Sequence, residues 1–180
     1  MKTHSVIFAG VGGMGALTSG QLLARAAMKK FKNVTWYPNI TTARRNAPAD
    51  CLVCYSDTMI YSQLIKDVET AVVMNNVQLD TMKNRVKSGG LLILEADDRA
   101  QSIDAKDIQV IKVPGIQISS KIANPRVINT VYLGVYIGAT KTVFHELVQT
   151  ELEKRFEGKD EILKMNLEAL NEGMNFGQAA

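Results

Sequence analysis

The chain has 180 residues, 46% of them hydrophobic, with a formal net charge of +3. That length and composition fit one globular domain with a sizeable core and exclude a disordered chain; a +3 balance also gives no reason to expect nucleic acid as a partner. No run of eighteen apolar residues occurs and the start lacks the apolar core and small-residue cleavage site of a secretory signal, so a cytoplasmic protein that does not enter membranes is expected.

The charge is unevenly spread. Residues 1–49 contain seven basic side chains and no acidic one, while the remaining 131 carry 14 basic and 18 acidic. An anionic ligand or an acidic partner surface is therefore expected near the N-terminal third, although Lys29, Lys30 and Lys32 also sit where a helix C-terminus favours cations.

In chain order, apolar runs alternate with helical periods. SVIFA reads as a strand, 14–30 as a helix, then strands at VTWY, CLVCYS and TAVVMN, a helix near 78–87, and strands at LLILE and IQVIKVP. This rhythm predicts an α/β fold: a Rossmann-like, mostly parallel sheet flanked by helices. Ser88, Gly89 and Gly90 read as a helix stop before the LLILE strand. After Pro114 the pattern turns helical at 116–123 and 126–139, and two amphipathic helices close the chain. The organisation expected is a single domain over 1–180, with a sheet-rich core at 1–115 and a helical C-terminal annex at 116–180.

Gly10, Gly12 and Gly15 fit G-x-G-x-x-G between the first strand and the first helix, with Gly13 beside them. Such a turn brings backbone amides to the positive end of a helix, with no Cβ to hold a phosphate off. The bland reading, that the glycines only let the helix pack closely on the sheet, stands beside it. A dinucleotide site also wants an acid at the end of the second strand; VTWYPN has none, and the first acid in the chain is Asp50. NAD(P) binding by a stand-alone enzyme or nucleotide sensor is thus the alternative, and a pure interaction module a third reading.

NITTARRNAPADC follows the second strand and should lie near the glycine turn. Arg45 can clamp a phosphate or carboxylate, meet a partner, or pair with Asp50 or Asp57; Arg44 reads as solvated surface. Cys51 and Cys54 form a CxxC pair, but three residues along a strand place them on opposite faces, and no second cluster completes a metal site, so buried inert thiols are expected. His4 and His145 read as surface or packing residues.

Together these residues resemble the gamma subunit of the 2-oxoacid:ferredoxin (acceptor) oxidoreductases. The family's G-x-G-G-Q-G stands here as GVGGMG, and its arginine loop is matched through Pro38, Arg45, Cys51, Val53, Ser56 and Asp57. SGGLLIL (88–94), NTVYLG (129–134) and NLEALNEG (166–173) follow in the family's order. Met14 stands in place of the usual glutamine, Asn46 and Ala47 in place of Gly-Gly after Arg45, and Thr41 and Ala43 in place of the glycine and acid before it.

The resemblance implies a scaffolding subunit with no catalytic residue or metal of its own, placed on the side of a complex where coenzyme A arrives. Thiamine diphosphate and Mg²⁺ would belong to the alpha and beta subunits, iron–sulfur clusters to beta or a delta subunit, and ferredoxin would dock on the complex. The functional edge expected comprises Gly10, Gly12, Gly13, Gly15 and Arg45. Asn129 is the further candidate, as an N-cap or a buried polar tie.

Overall fold

The computed structural model describes residues 3–40, 47–62, 65–101, 103, 106–122 and 124–180. Six strands form one sheet among these residues: β1 (His4–Val11), β2 (Asn33–Ile40), β3 (Pro48–Ser56), β4 (Val68–Val73), β5 (Val86–Glu95) and β6 (Gln109–Val113). Their order is β2-β3-β1-β4-β5-β6.

β1, β4, β5 and β6 pair in parallel, whereas β3 runs antiparallel to both β1 and β2. Five strands therefore share one direction and β3 opposes them, making the sheet mixed. The reason lies in chain length: the link from β2 to β3 is too short for a parallel crossover, which needs a dozen or more residues. A hairpin is the available solution. It leaves β2 ending, and β3 beginning, at the same pole of the sheet as the end of β1 and the glycine turn.

β1 is buried on both faces, and its alternation separates two cores. Val6 and Phe8 pack with Cys51, Val53, Tyr55 and Ile93 on one side, while Ile7 and Ala9 pack with Leu52, Cys54, Leu92 and Leu94 on the other. The first face is covered by α1 (Ala16–Ala27), α5 (Ile128–Thr140), α6 (His145–Arg155) and α7 (Asp160–Ala179). The second receives the short helices α2 (Leu79–Lys83) and α3 (Asp98–Gln101) through Leu79, Met82 and Ala100. α4 (Gly115–Lys121) links β6 to the helical layer.

α1 lies close to the sheet because its buried side is built mostly from small residues, Ala16, Ser19, Gly20, Ala24, Ala26 and Ala27, with Leu22 and Leu23 among them. A Cβ on Gly20 would overlap Cys51 Sγ. α5 and α7 approach closer still. Gly134 and Gly138 on α5, and Gly173 and Gly177 on α7, each press onto the facing helix's backbone, where a methyl would overlap a main-chain oxygen. Buried Thr130 and Asn166 fasten the same pair, the Thr130 hydroxyl donating to Asn166 Oδ1 at 2.7 Å.

One sequence expectation changes. The helix expected near 78–87 ends at Lys83, and Ser88, Gly89 and Gly90 lie inside β5 rather than at a helix stop. The β4–β5 register shifts there, Gly89 takes φ +73°, and a Cβ on Gly90 would lie 2.7 Å from Glu69 O. Glycines serve a strand irregularity as well as a helix end, because both need backbone freedom or close approach. Among the described residues no helix is long and apolar enough to cross a membrane.

Candidate functional site

The glycine turn stands at the C-terminal end of β1, and its exposed tip is Gly12 and Gly13. Gly13 has φ +98° and faces open space; Gly15, which precedes α1, has φ +81°. The four glycines do different work. A methyl on Gly10 would make only ordinary contacts, at 3.6 Å to Met14 Cβ, so nothing there demands close approach. At Gly15 the same methyl would lie 2.8 Å from Asn129 Cγ.

The turn is also tied internally. Gly12 N–H donates to Ala47 O at 2.9 Å and Met14 N–H to Val11 O at 3.0 Å. Ala47, which directly follows the segment carrying Arg44 and Arg45 in sequence, is thus held against the glycine turn; both arginines lie outside the described residues. The amides that open α1 have no intrahelical acceptors, as in the first turn of any helix. No acidic residue occupies that first turn.

Asn129 is brought to this turn by α5 and is buried. It is the second residue of α5, and Val127 holds the cap position, so it is not an N-cap. The capping asparagine is Asn124, whose Oδ1 accepts from Arg126 N–H at 3.0 Å. Asn129 instead joins two helices: its main-chain oxygen accepts from Ser19 Oγ at 2.9 Å while its side chain abuts Gly15. Beside this junction a cleft of about 320 Å³ is lined by Gly13, Gly15, Thr18, Asn129, Arg126 and Arg155.

A second cleft, of about 470 Å³, opens on the other side of the turn at the ends of β4 and β5. Met14 and Met74 line it together with Asn76, Glu95, Asp97 and Ile116. Glu95 Oε2 accepts from Tyr132 O–H at 2.7 Å and from Ile116 N–H at 3.3 Å. Burial raises the Glu95 pKa, with those two hydrogen bonds pulling the other way. Sequence reasoning missed Asn76 and Glu95; the available signal was their place within two residues of the ends of the apolar TAVVM and LLIL runs, where an α/β sheet gathers its ligand-facing side chains.

Cys51 and Cys54 are free and buried, one in each core. Burial pushes the Cys51 thiol up to about 12 and raises Cys54 as well. His4 packs beside the Phe31 and Tyr55 rings, which also touch each other, with Nδ1 3.2 Å from Glu69 Oε2. No group of three or more His, Cys, Asp or Glu able to hold a metal occurs among the described residues.

Residues 5–176 match the model of the pyruvate ferredoxin/flavodoxin oxidoreductase family. The chain belongs to this family. Among curated members it is 29% identical over 174 residues to ketoisovalerate oxidoreductase subunit VorA of Methanothermobacter thermautotrophicus, covering 96% of this chain and 36% of that protein. The chain thus spans about a third of the length of the VorA relatives it matches. It is 29% identical over 175 residues to the pyruvate/ketoisovalerate oxidoreductases common subunit gamma of Thermococcus kodakarensis, with 93% and 94% of the two chains covered.

In fold, this oxidoreductase-family chain matches the gamma subunit of a keto/oxoacid ferredoxin oxidoreductase from Geobacter sulfurreducens. The TM-score is 0.87 at 20% identity, over 100% of this chain and 99% of that one. It also matches 32% of a chain of 2-oxoglutarate:ferredoxin oxidoreductase from Magnetococcus marinus, solved with 2-oxoglutarate, coenzyme A and succinyl-CoA bound. There the TM-score is 0.90 at 22% identity, with 100% of this chain covered. The expected α/β fold of the gamma subunits is therefore the fold found. These relatives are oxidoreductase subunits, which gives the stand-alone dinucleotide enzyme no support.

Proposed function

We propose that this chain is the gamma subunit of a thiamine-diphosphate-dependent 2-oxoacid:ferredoxin oxidoreductase, working beside alpha and beta subunits, with iron–sulfur clusters in beta or a delta subunit. Its own part is to brace the assembly and to receive the phosphates of coenzyme A at the glycine turn. The observation that carries this reading is an exposed Gly12–Gly13 tip leading into a helix whose first turn has no acidic residue. Near end-to-end correspondence with a common gamma subunit supports the assembly half.

The residues present suit a phosphate-bearing ligand. Open space over Gly13 leaves room for a phosphate, and the amides beginning α1 would donate to it. Arg45 is the candidate second donor, supplying a planar, permanently charged fork. When bound, coenzyme A supplies the thiol that accepts the acyl group, and this chain's task is to hold its anionic end.

Co-expression with the alpha and beta chains from the same source tests the assembly, and calorimetry with coenzyme A tests the ligand. Co-purification as a stoichiometric complex is expected, with coenzyme A affinity reduced by Gly13→Asp and by Arg45→Ala. A chain that remains monomeric beside both partners would overturn the assembly reading. If assembly is retained while both substitutions leave coenzyme A affinity unchanged, the turn is an interaction element and not a phosphate site.

A further inference from the structure

The cleft of about 320 Å³ beside the Gly15–Asn129 junction is lined by Arg126 and Arg155 and, among the described residues, by no acidic side chain. Neither guanidinium pairs with a described carboxylate; Arg155 lies over the Phe156 ring at 5.9 Å. Gly13, Gly15 and Thr18 bring the start of α1 to the same cleft. That helix is twelve residues long and begins without a side-chain cap, because Gly15 holds the cap position.

A buried amide with no partner faces the same space. Asn129 is 7% exposed and lines the cleft, and although its main-chain oxygen accepts from Ser19, its side chain hydrogen-bonds to no described residue. Among the described residues the unpaired side-chain atoms that are shut from solvent are Asn76 Oδ1 and His145 Nε2, so the Asn129 amide keeps its opening to the cleft. No neighbour fixes which end of the amide points outward, and it is free to present its N–H₂. Buried polar groups are nearly always paired, which makes a nine-tenths buried amide open only to a cleft a group built for an occupant.

Charge and shape narrow that occupant. Two guanidinia and the positive end of a helix, with no carboxylate to offset them, repel a cation and attract an anion. The donors approach from α1, from α5 and from the two arginines, an arrangement that a tetrahedral phosphate satisfies better than a planar carboxylate with two oxygens. Leu22, Phe156 and Ile162 line the rest, and Ile162 stands 39% exposed, so the walls offer apolar cover to an organic body carrying the phosphate.

We propose that this cleft binds the phosphate group of an organic phosphomonoester, with the Asn129 amide, the α1 amides and the Arg126 and Arg155 guanidinia as its donors. The proposal rests on the reading of the glycine turn as a phosphate site, and adds on which flank of the turn the group sits and what holds it. Asn129 and the two arginines become specificity residues, admitting phosphate ahead of carboxylate.

The test uses the full chain labelled with ¹⁵N, because the side-chain N–H₂ signals of Asn129 report on the cleft directly. Phenyl phosphate, inorganic phosphate and benzoate are the probes. Phenyl phosphate is expected to shift the Asn129 N–H₂ signals and the backbone amides of residues 16–18 saturably. Inorganic phosphate should shift the same signals more weakly, for want of the apolar contacts, and benzoate should bind at least about tenfold more weakly than phenyl phosphate. Arg126→Gln and Arg155→Gln, both at exposed positions where the fold is not at risk, should each weaken phenyl phosphate about tenfold. Asn129 signals that do not move, benzoate binding as well as phenyl phosphate, or affinity that neither arginine substitution lowers would overturn the proposal. Unmoved Asn129 signals together with a coenzyme A affinity that still falls in Gly13→Asp would overturn it while sparing the phosphate reading of the exposed tip.

Discussion

Gly15 and Asn129 are in such close contact that the start of α1 and the start of α5 form one junction: a Cβ on residue 15 would lie 3.0 Å from Asn129 Cβ and 2.8 Å from its Cγ. Gly15 also holds φ +81°, so two separate requirements select glycine there. The glycine turn therefore has a structural half, Gly15 with Asn129, and an exposed half, Gly12 with Gly13.

Gly15→Ala should lower stability by about 2–3 kcal/mol, combining a left-handed backbone with an overlap. Gly13→Ala, where space is open, should lose only the backbone part, about 1 kcal/mol. Urea titrations of both variants and of Asn129→Ala combined with Gly15→Ala check this; partial recovery in the double variant is expected. Equal losses at Gly13 and Gly15 would contradict the division of the turn.

The α5–α7 pair leads to a larger effect. Gly134→Ala and Gly173→Ala each insert a methyl into facing backbone, which cannot yield as a flexible side chain can. Each should cost about 3 kcal/mol, whereas Asn175→Ala, exposed on the same α7, should be near neutral. Thermal unfolding of the three variants separates the outcomes, and a tolerated Gly173→Ala would count against this helix packing.

Glu95 makes stability depend on pH in a definite direction. Its folded pKa is raised, first by burial, above the ordinary value of 4.5. The folded chain therefore holds that proton more tightly than the unfolded one, so this contribution is fully present below the unfolded pKa and is lost as pH rises through the folded value. Glu95→Gln, measured against the parent by denaturant titration from pH 4 to 7, should gain relative stability as pH increases. A difference that stays constant or shrinks over that range would contradict the assignment.

Thiol chemistry distinguishes the two cysteines from a redox pair. With Cys51 pushed up to about 12 and both thiols buried on opposite faces of β3, neither should react with a thiol reagent in the native protein at neutral pH. In denaturant both should react. Rapid native labelling, or an intramolecular Cys51–Cys54 disulfide detected by mass spectrometry, is the contrary result.

Local patterns carried most of the element order. All six strands were visible because they are short apolar runs, and Cys51 and Cys54 could be assigned to opposite faces from strand spacing alone. Asn129 was legible as either an N-cap or a buried polar tie, and only the fold decided against the cap, since a capping asparagine and one that abuts a glycine read alike in sequence. Asn124, five residues earlier, holds a cap at the short helical turn before α5. The glycines of 88–90 misled for a similar reason: backbone freedom leaves the same mark in a helix stop and in a strand bulge.

Composition and periodicity by themselves determined an α/β chain whose residues 1–49 are acid-free and carry the glycine turn, because helix and strand periods and charge placement are local properties. Only the tertiary structure decided that β3 is inserted between β1 and β2 against their direction, that Gly15 belongs to Asn129, and that Asn76 ends with an unmet acceptor beside Glu95. Each of these depends on residues far apart in sequence meeting in space, and such meetings are set by the closure of the sheet and the packing of helices upon it.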